Sequence, residues 1–317
     1  MSIIMSYNIE NMNSLFENNQ IKPSCHQRAL HIAEVISVIN PHIIGICEAA
    51  NTPQEHDYFI NNYLPGMGYK VGFGASRGSQ NLVFYFRDPF ELQEIDPNVK
   101  KYDPWDEDID SDGLKEHLQF ERKPLEAVFK INGNQLIRII LVHTKSKGIF
   151  DVVDLQNYQQ IALANRKRLI GQANRLRQRL NDLLNEANLL PTIVMGDMND
   201  GPGLDPYERV LGKSFVETVM GSVFVPELIF HNTLWWMTKT TQTRNNLWTV
   251  EFPDPIVNNP LGYKHRVWLD HIIVSPGMLD QTNPVYYKLD SGNIGFKNDI
   301  SRNASDHFPV YCEIDTN

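Results

Sequence analysis

Short apolar runs rich in β-branched residues recur along the chain, and each is ended or interrupted by polar residues. Met5-Ser6-Tyr7-Asn8-Ile9-Glu10 brings an amide to the end of its run. Ile43-Ile44-Gly45-Ile46-Cys47-Glu48 reads as a buried strand that delivers a carboxylate. Ile139-Ile140-Leu141-Val142-His143 does the same with an imidazole, followed by the ammonium groups of Lys145 and Lys147. Thr192 to Asp200 supplies Asp197 and Asn199, Val267 to Val274 supplies Asp270, and Ala304 to Val310 sets Asp306 beside His307. Six such strand ends in order predict a site, because sheet proteins gather functional groups where their strands stop.

Stretches of helical periodicity lie between these runs, from Cys25 to Asn40 and from Gln156 to Glu186. Strands alternating with helices predict an α/β fold. No Gly/Ser-rich or Pro-rich linker and no internal repeat divides the chain, so one domain over residues 1–317 is expected. At 42% hydrophobic content it can bury a large core. Cys47 and Cys312 fall in apolar strand patterns and Cys25 is the odd one out, which predicts buried thiols and no disulfide framework.

The chain enters its first strand without a basic or apolar leader, and it holds no run of about 18 apolar residues able to span a bilayer. A cytoplasmic monomer without a membrane span is therefore expected; a secreted protein trimmed of its leader would read the same way. The net charge of −9 argues against an extensive nucleic-acid footprint, since phosphate binding rests on Lys and Arg. It does not exclude a nuclease, because site carboxylates supply part of that charge and bound divalent ions invert the local potential. Arg166, Lys167, Arg168, Arg175, Arg177 and Arg179 on the second helical stretch read as the solvated face of an amphipathic helix.

The ordered set from Asn8 to His307, with its Gly196-Asp197-Met198-Asn199 and Ser305-Asp306-His307-Phe308-Pro309-Val310 signatures, resembles the endonuclease/exonuclease/phosphatase superfamily. The resemblance is to the divalent-metal phosphoesterases of deoxyribonuclease and abasic-endonuclease type. It implies a four-layer α/β/β/α sandwich of two mixed β-sheets flanked by helices, with the site at one edge where the sheets meet. It also implies hydrolysis of a phosphodiester with Mg²⁺ or Mn²⁺, and nucleic acid as the substrate, cut as an endonuclease or exonuclease of low sequence specificity.

Such hydrolysis needs a hard cation, an activated water and stabilisation of the leaving oxyanion. By resemblance, Glu48 and Asp306 are the metal carboxylates, with Asn8 helping to hold metal or phosphate. Asp197 orients or activates the water, and Asn199 binds a phosphate oxygen. His307 is the base or transition-state stabiliser, kept in one tautomer by Asp270. His143 is the acid toward the leaving oxygen, and the Lys145-Ser146-Lys147 behind it resembles bacterial extracellular-type nucleases, with Lys145 available to phosphate. Arg122 opens an Arg-x-Pro-Leu strand start whose guanidinium can contact phosphate or a site carboxylate. Adjacent strand residues face opposite ways, so His271 is expected to point away from the site.

The pattern departs from the deoxyribonucleases in Ser79 to Arg87, where the neutral Gln80 and Asn81 stand in place of a carboxylate that would orient His143. Asp106 to Gly113 has the carboxylate spacing of a calcium loop, but Gln119 replaces its bidentate Glu. A solvated acidic loop is expected there, with Ca²⁺ at Asp108 to Asp112 as the alternative. The segment from Phe215 to Arg266, with Trp235, Trp236 and Trp248, is expected to form a rim over the site. Sphingomyelinases and inositol-phosphate phosphatases share the same constellation, and His271 after Asp270 argues against the inositol branch. A binding module with a dead site is the remaining reading, opposed by a full set of ligand positions.

Overall fold

A computed structural model of the chain describes residues 1–74, 80–149, 155–253 and 264–317. Its centre is two β-sheets packed face to face. One runs Val285–Tyr287, Val310–Thr316, Ser2–Asn8, Ile43–Ala49, Asn81–Phe86, Lys70–Gly74, with Asn293–Ile294 also paired to Val310–Thr316. The other runs His231–Asn232, Asp270–Val274, Thr192–Asp197, Gln135–His143, Leu125–Ile131, Phe90–Asp96. Each sheet is mixed: Ser2–Asn8 lies parallel to Ile43–Ala49, and Gln135–His143 parallel to Thr192–Asp197, among antiparallel neighbours.

Three apolar clusters account for the layers. Phe84, Phe129, Leu141, Met195 and Val310 are buried between the sheets. Ile32, Ile36 and Phe59 of the helices His26–Ile39 and Pro53–Tyr63 cover the outer face of the first sheet. Leu169, Leu176 and Leu180 of the helix Leu155–Leu184 cover the second, so the order is α/β/β/α. The sheets approach closely at Gly45, where a Cβ would meet Met195 Cε at 2.4 Å and Leu141 Cδ1 at 2.8 Å.

The helices keep close to the periodicity in the sequence. The first begins at His26 because Pro23–Cys25 forms a 3-10 turn before it, and it ends on Asn40 in the left-handed region. Cys47 and Cys312 are buried free thiols. No helix among the described residues is long and apolar enough to cross a membrane.

Candidate active site

The two parallel pairs position the site. Parallel strands stop at the same edge, so Asn8 ends level with Cys47, beside Glu48, and His143 ends level with Asp197. Asp270 opens an antiparallel strand as the register partner of Asp197. His307 precedes Val310, which pairs with Ser6. Local backbone departs from regular strand here: the ladder slips between Ile46 and Ala49, and Glu48 takes φ 56°. Glu10, Asn11 and Asn199 also lie at positive φ. A non-glycine residue so placed costs about 1–3 kcal/mol, and such strain collects at functional sites. Before Asp197, Gly196 at φ 140° leaves no room for a side chain, since a Cβ would lie 1.8 Å from the Val142 carbonyl oxygen.

Asn8 is the hub. Its Nδ2 donates to Asp197 Oδ2 at 3.0 Å and Glu48 Oε1 at 3.3 Å, and lies 3.5 Å from His307 Nε2. Its Oδ1 accepts from the Glu10 backbone N–H. The amide therefore turns its donors toward the carboxylates, not its oxygen toward a cation as a ligand role requires. His307 Nδ1 lies 2.8 Å from Asp270 Oδ2, and Nε2 lies 3.8 Å from Asp197 Oδ2 and 4.0 Å from Asp306 Oδ1. His143 Nε2 lies 3.5 Å from Asp197 Oδ2 and 3.8 Å from Glu48 Oε1. Asn199 donates its backbone N–H to Asp197 Oδ1 at 2.8 Å and its Nδ2 to the Thr144 carbonyl at 3.1 Å, which fixes the Asp197 carboxylate.

Burial sets the charges of this cluster. It pushes the Asp197 carboxyl up to about 7, with Asp270 adding to the shift against the pull of His307. Burial opposes the charged His307 ring, yet Asp270 and Asp197 together raise it to about 10. His143 goes the other way: burial, then the positive charges of Arg122 and His307, hold it well below its ordinary value. Its Nδ1 meets no hydrogen-bond partner among the described residues, so neither Gln80 nor Asn81 holds the ring. The ring stays neutral.

Asp197, Asp270 and His307 bring candidate ligand atoms within 4.8 Å of one another. There His307 Nδ1 is already committed to Asp270 Oδ2. The side toward Glu48 and Asp306 suits a hard cation better. There the Glu10 carboxyl is raised by burial, then by Asp306 and, past the opposing pull of Arg28, by Glu48, a mark of negative charge left unbalanced. Glu48 keeps both oxygens on N–H donors only, Asn8 Nδ2 and the Asn11 backbone N–H at 2.8 Å, and Asp306 keeps 47% of its side chain exposed. Carboxylate oxygens such as those of Glu48 and Asp306 are the ligand type that Mg²⁺ or Mn²⁺ takes.

Other sequence candidates sit apart from the cluster. Arg122 gives Nε to the His143 carbonyl at 3.3 Å, Nη2 to the Thr144 carbonyl at 3.0 Å and Nη1 to Gln80. Two of its five N–H groups thus brace the end of the His143 strand and a third holds Gln80, and no carboxylate among the described residues bonds to it. Lys145 hangs its backbone N–H on Gln172, and burial lowers its ammonium beside Glu121, Arg168 and Arg122. Lys147 turns away to Asp200 and Glu208. His271 faces the opposite way from Asp270, with Nε2 2.8 Å from the Asp200 carbonyl and Nδ1 on Asn232.

At the acidic loop, Lys167 Nζ lies 2.6 Å from Asp110 and 2.5 Å from Glu116, supplying the positive charge a calcium ion would bring. The basic helix is not a free solvated face either. Arg177 caps carbonyls of Val219, Met220 and Leu228, and Arg179 grips Glu126. Ser79 and residues 254–263 of the rim segment lie outside the described residues.

Two contributors, Thr249 and Arg28, escaped the sequence reading. Thr249 Oγ1 accepts from the backbone N–H groups of Leu269 and Asp270, and Val250 bridges to His307, so the rim segment is built into the site. Arg28 ties the Ile9 and Glu10 carbonyls to that of Ala304, joining the Asn8 loop to the Asp306 loop. Glu10, two residues beyond Asn8, was visible in the motif; Arg28 and Thr249 carry no such signal.

No curated protein sequence matches the chain. Among solved structures, D. rerio TDP2 complexed with a single strand DNA product is 16% identical, with a TM-score of 0.55 over 99% of this chain and 99% of that one. Truncated Caenorhabditis elegans TDP2 is 11% identical, with a TM-score of 0.56 over 100% and 98%. The human Nocturnin catalytic domain with bound sulfate is 16% identical, with a TM-score of 0.50 over 100% and 94%. At these identities the likeness is one of fold. The model of the Endonuclease/Exonuclease/phosphatase family matches residues 5–307, from the first central strand to His307. With the same strand ends meeting at one edge of the four-layer sandwich, the chain belongs to that family of phosphoester hydrolases.

Proposed function

We propose that the chain is a divalent-metal-dependent phosphodiesterase acting on nucleic acid with little sequence preference, and that residues 1–317 work as one catalytic domain. The observation that supports it most is the meeting of Asn8, Glu48, His143, Asp197, Asp270 and His307 around one point. Glu48 and Asp306 would hold the cation, which when bound neutralises nonbridging phosphate oxygens and the leaving oxyanion.

The two perturbed groups then divide the chemistry, because environments that push proton affinities apart mark acid and base roles. Asp197, raised to about 7, suits the base that takes a proton from the attacking water, aimed by its bond from Asn199. His307, raised to about 10, stays protonated and stabilises the charge that develops on phosphorus-bound oxygen. Asp270 holds that imidazolium in place. Neutral His143 donates an N–H to a phosphate oxygen in place of a full proton to the leaving group.

A lipid phosphodiester is the second reading, favoured by Val223, 76% exposed in a hollow that Trp235 and Trp268 also line, and by its chain neighbour Phe224, 92% exposed. Incubation with plasmid, single-stranded DNA, RNA and sphingomyelin, each with Mg²⁺, Mn²⁺ or chelator, separates the two. Metal-dependent cleavage of the nucleic acids is expected. Turnover of sphingomyelin alone would overturn the substrate assignment.

A further inference from the structure

Beside Asp306 and His307 the surface changes sign. Thr249 and Val250 bond directly to the His307 segment, and Trp248 packs edge-on against Phe308 at 5.3 Å. Trp248 is itself buried and forms a floor. Arg266 lies over its ring at 4.8 Å and Lys297 at 3.9 Å, while Arg302 lies over Phe308 at 5.9 Å. Lys264 and Arg266 share Glu251, and Arg302 approaches the exposed Asp299 at 4.0 Å.

Among the described residues, four cations thus meet two carboxylates here, on a chain whose net charge is −9. No carboxylate among the described residues pairs with Lys297; its Nζ donates to the Asn246 carbonyl. Next to it, Phe296 leaves 60% of its surface in water.

We infer that Phe296, Lys297, Arg302 and Arg266 bind a single nucleic-acid strand beyond the scissile phosphate, with a base stacked on Phe296 and backbone phosphates held by the three cations. This rests on the nucleic-acid reading above. Phe296 is exposed and adjoins Lys297 in the chain; exposed aromatic rings and nearby cations hold strands without sequence preference, since every base has a π-face and every phosphate a charge. Lys297 fits the role of a phosphate ligand. Burial, and then the nearby guanidinium groups of Arg266 and Arg302, lower its proton affinity to about 7, and an anion placed before it restores the charge. The route to the centre is short: Arg302 lies on the helix Asp299–Ala304, which runs straight into Ser305-Asp306-His307.

Binding of a 5′-labelled oligothymidylate, read by fluorescence anisotropy in excess chelator, tests this without turnover. Phe296→Ala is expected to weaken binding by about tenfold, the loss of one stacked base. Arg302→Gln is expected to reduce the slope of log affinity against log salt by about 0.7, one phosphate contact on a single strand, and Arg302→Lys to keep it. Both positions are exposed, so melting temperatures should match the wild type. If the wild type binds and cuts the strand while both variants bind as tightly with the same slope, the inference is wrong and the nuclease reading stands. If the wild type neither binds nor cuts it, both fall. Binding to phosphatidylserine vesicles but not to the oligonucleotide would assign the face to membranes and overturn the inference.

Discussion

Asp270→Asn should disable the enzyme while leaving its packing intact. Asp270 is 1% exposed; Oδ2 holds His307 Nδ1 at 2.8 Å, Oδ1 meets no partner, and the backbone N–H bonds to Thr249. Asparagine keeps the volume and the backbone bond and can still accept from the ring, so little is lost to packing. What disappears is the leading charge that raises His307. The ring then faces its own burial with only Asp197 and Asp306 in support, and at neutral pH it gives up much of its positive charge. A transition-state charge stabiliser of this kind is worth about 10²–10³ in rate. Hydrolysis of bis-p-nitrophenyl phosphate with Mn²⁺ should fall by that factor in Asp270→Asn and in His307→Ala, and no further in the double variant, since the pair acts as a unit. An Asp270→Asn enzyme within about threefold of wild type, or a double variant showing the product of both losses, would refute the pairing.

Glu48→Gln should abolish the rise in melting temperature that Mg²⁺ gives the wild type while leaving the metal-free melt nearly unchanged; an undiminished rise would remove Glu48 from the metal set. His143→Ala should slow hydrolysis of DNA and of the activated nitrophenyl ester by equal factors, because a neutral ring supplies a hydrogen bond and no proton. A loss confined to DNA would restore its role as acid. His56 makes a pH prediction: it is fully buried, and burial lowers it to about 4, so the unfolded chain takes up a proton near pH 6.5 that the folded chain refuses. This contribution of His56 is whole above pH 6.5 and is lost, by about 3 kcal/mol, as the pH drops to 4. Urea melts across that range should show the decline, and His56→Gln should remove the His56 share of it, leaving that of His143 and His271, which burial also lowers.

The frame of the fold was legible because two periodicities wrote it. Buried strands such as Ile43–Ala49 and Thr192–Asp197 read as unbroken apolar runs, and the helix His26–Ile39 as a 3.6-residue repeat. Residues that end those strands were equally legible, since a carboxylate or imidazole at the end of an apolar run stands out. Their directions were not. Whether Arg122 serves a phosphate or braces the carbonyls of His143 and Thr144 depends on a hydrogen bond closed from a loop outside the strand, and spacing holds no record of it.

The residues that sequence reading missed share one property: each acts through backbone. Thr249 carries the Asp270 strand end on a hydroxyl, and Arg28 clamps carbonyls of the Ile9–Glu10 loop and of Ala304, the latter 276 residues from Arg28 in the chain. Such contacts need a donor in the right place but no particular neighbouring pattern, so a lone Thr in a tryptophan-rich segment and a lone Arg on a helix look like any other. The same reasoning explains the acidic loop and the basic helix. Each read alone as a solvated charge run, yet Lys167 of one neutralises Asp110 and Glu116 of the other. Charge that pairs across 51 or more positions of chain is invisible to local pattern, and it decides which cations remain free to meet a substrate.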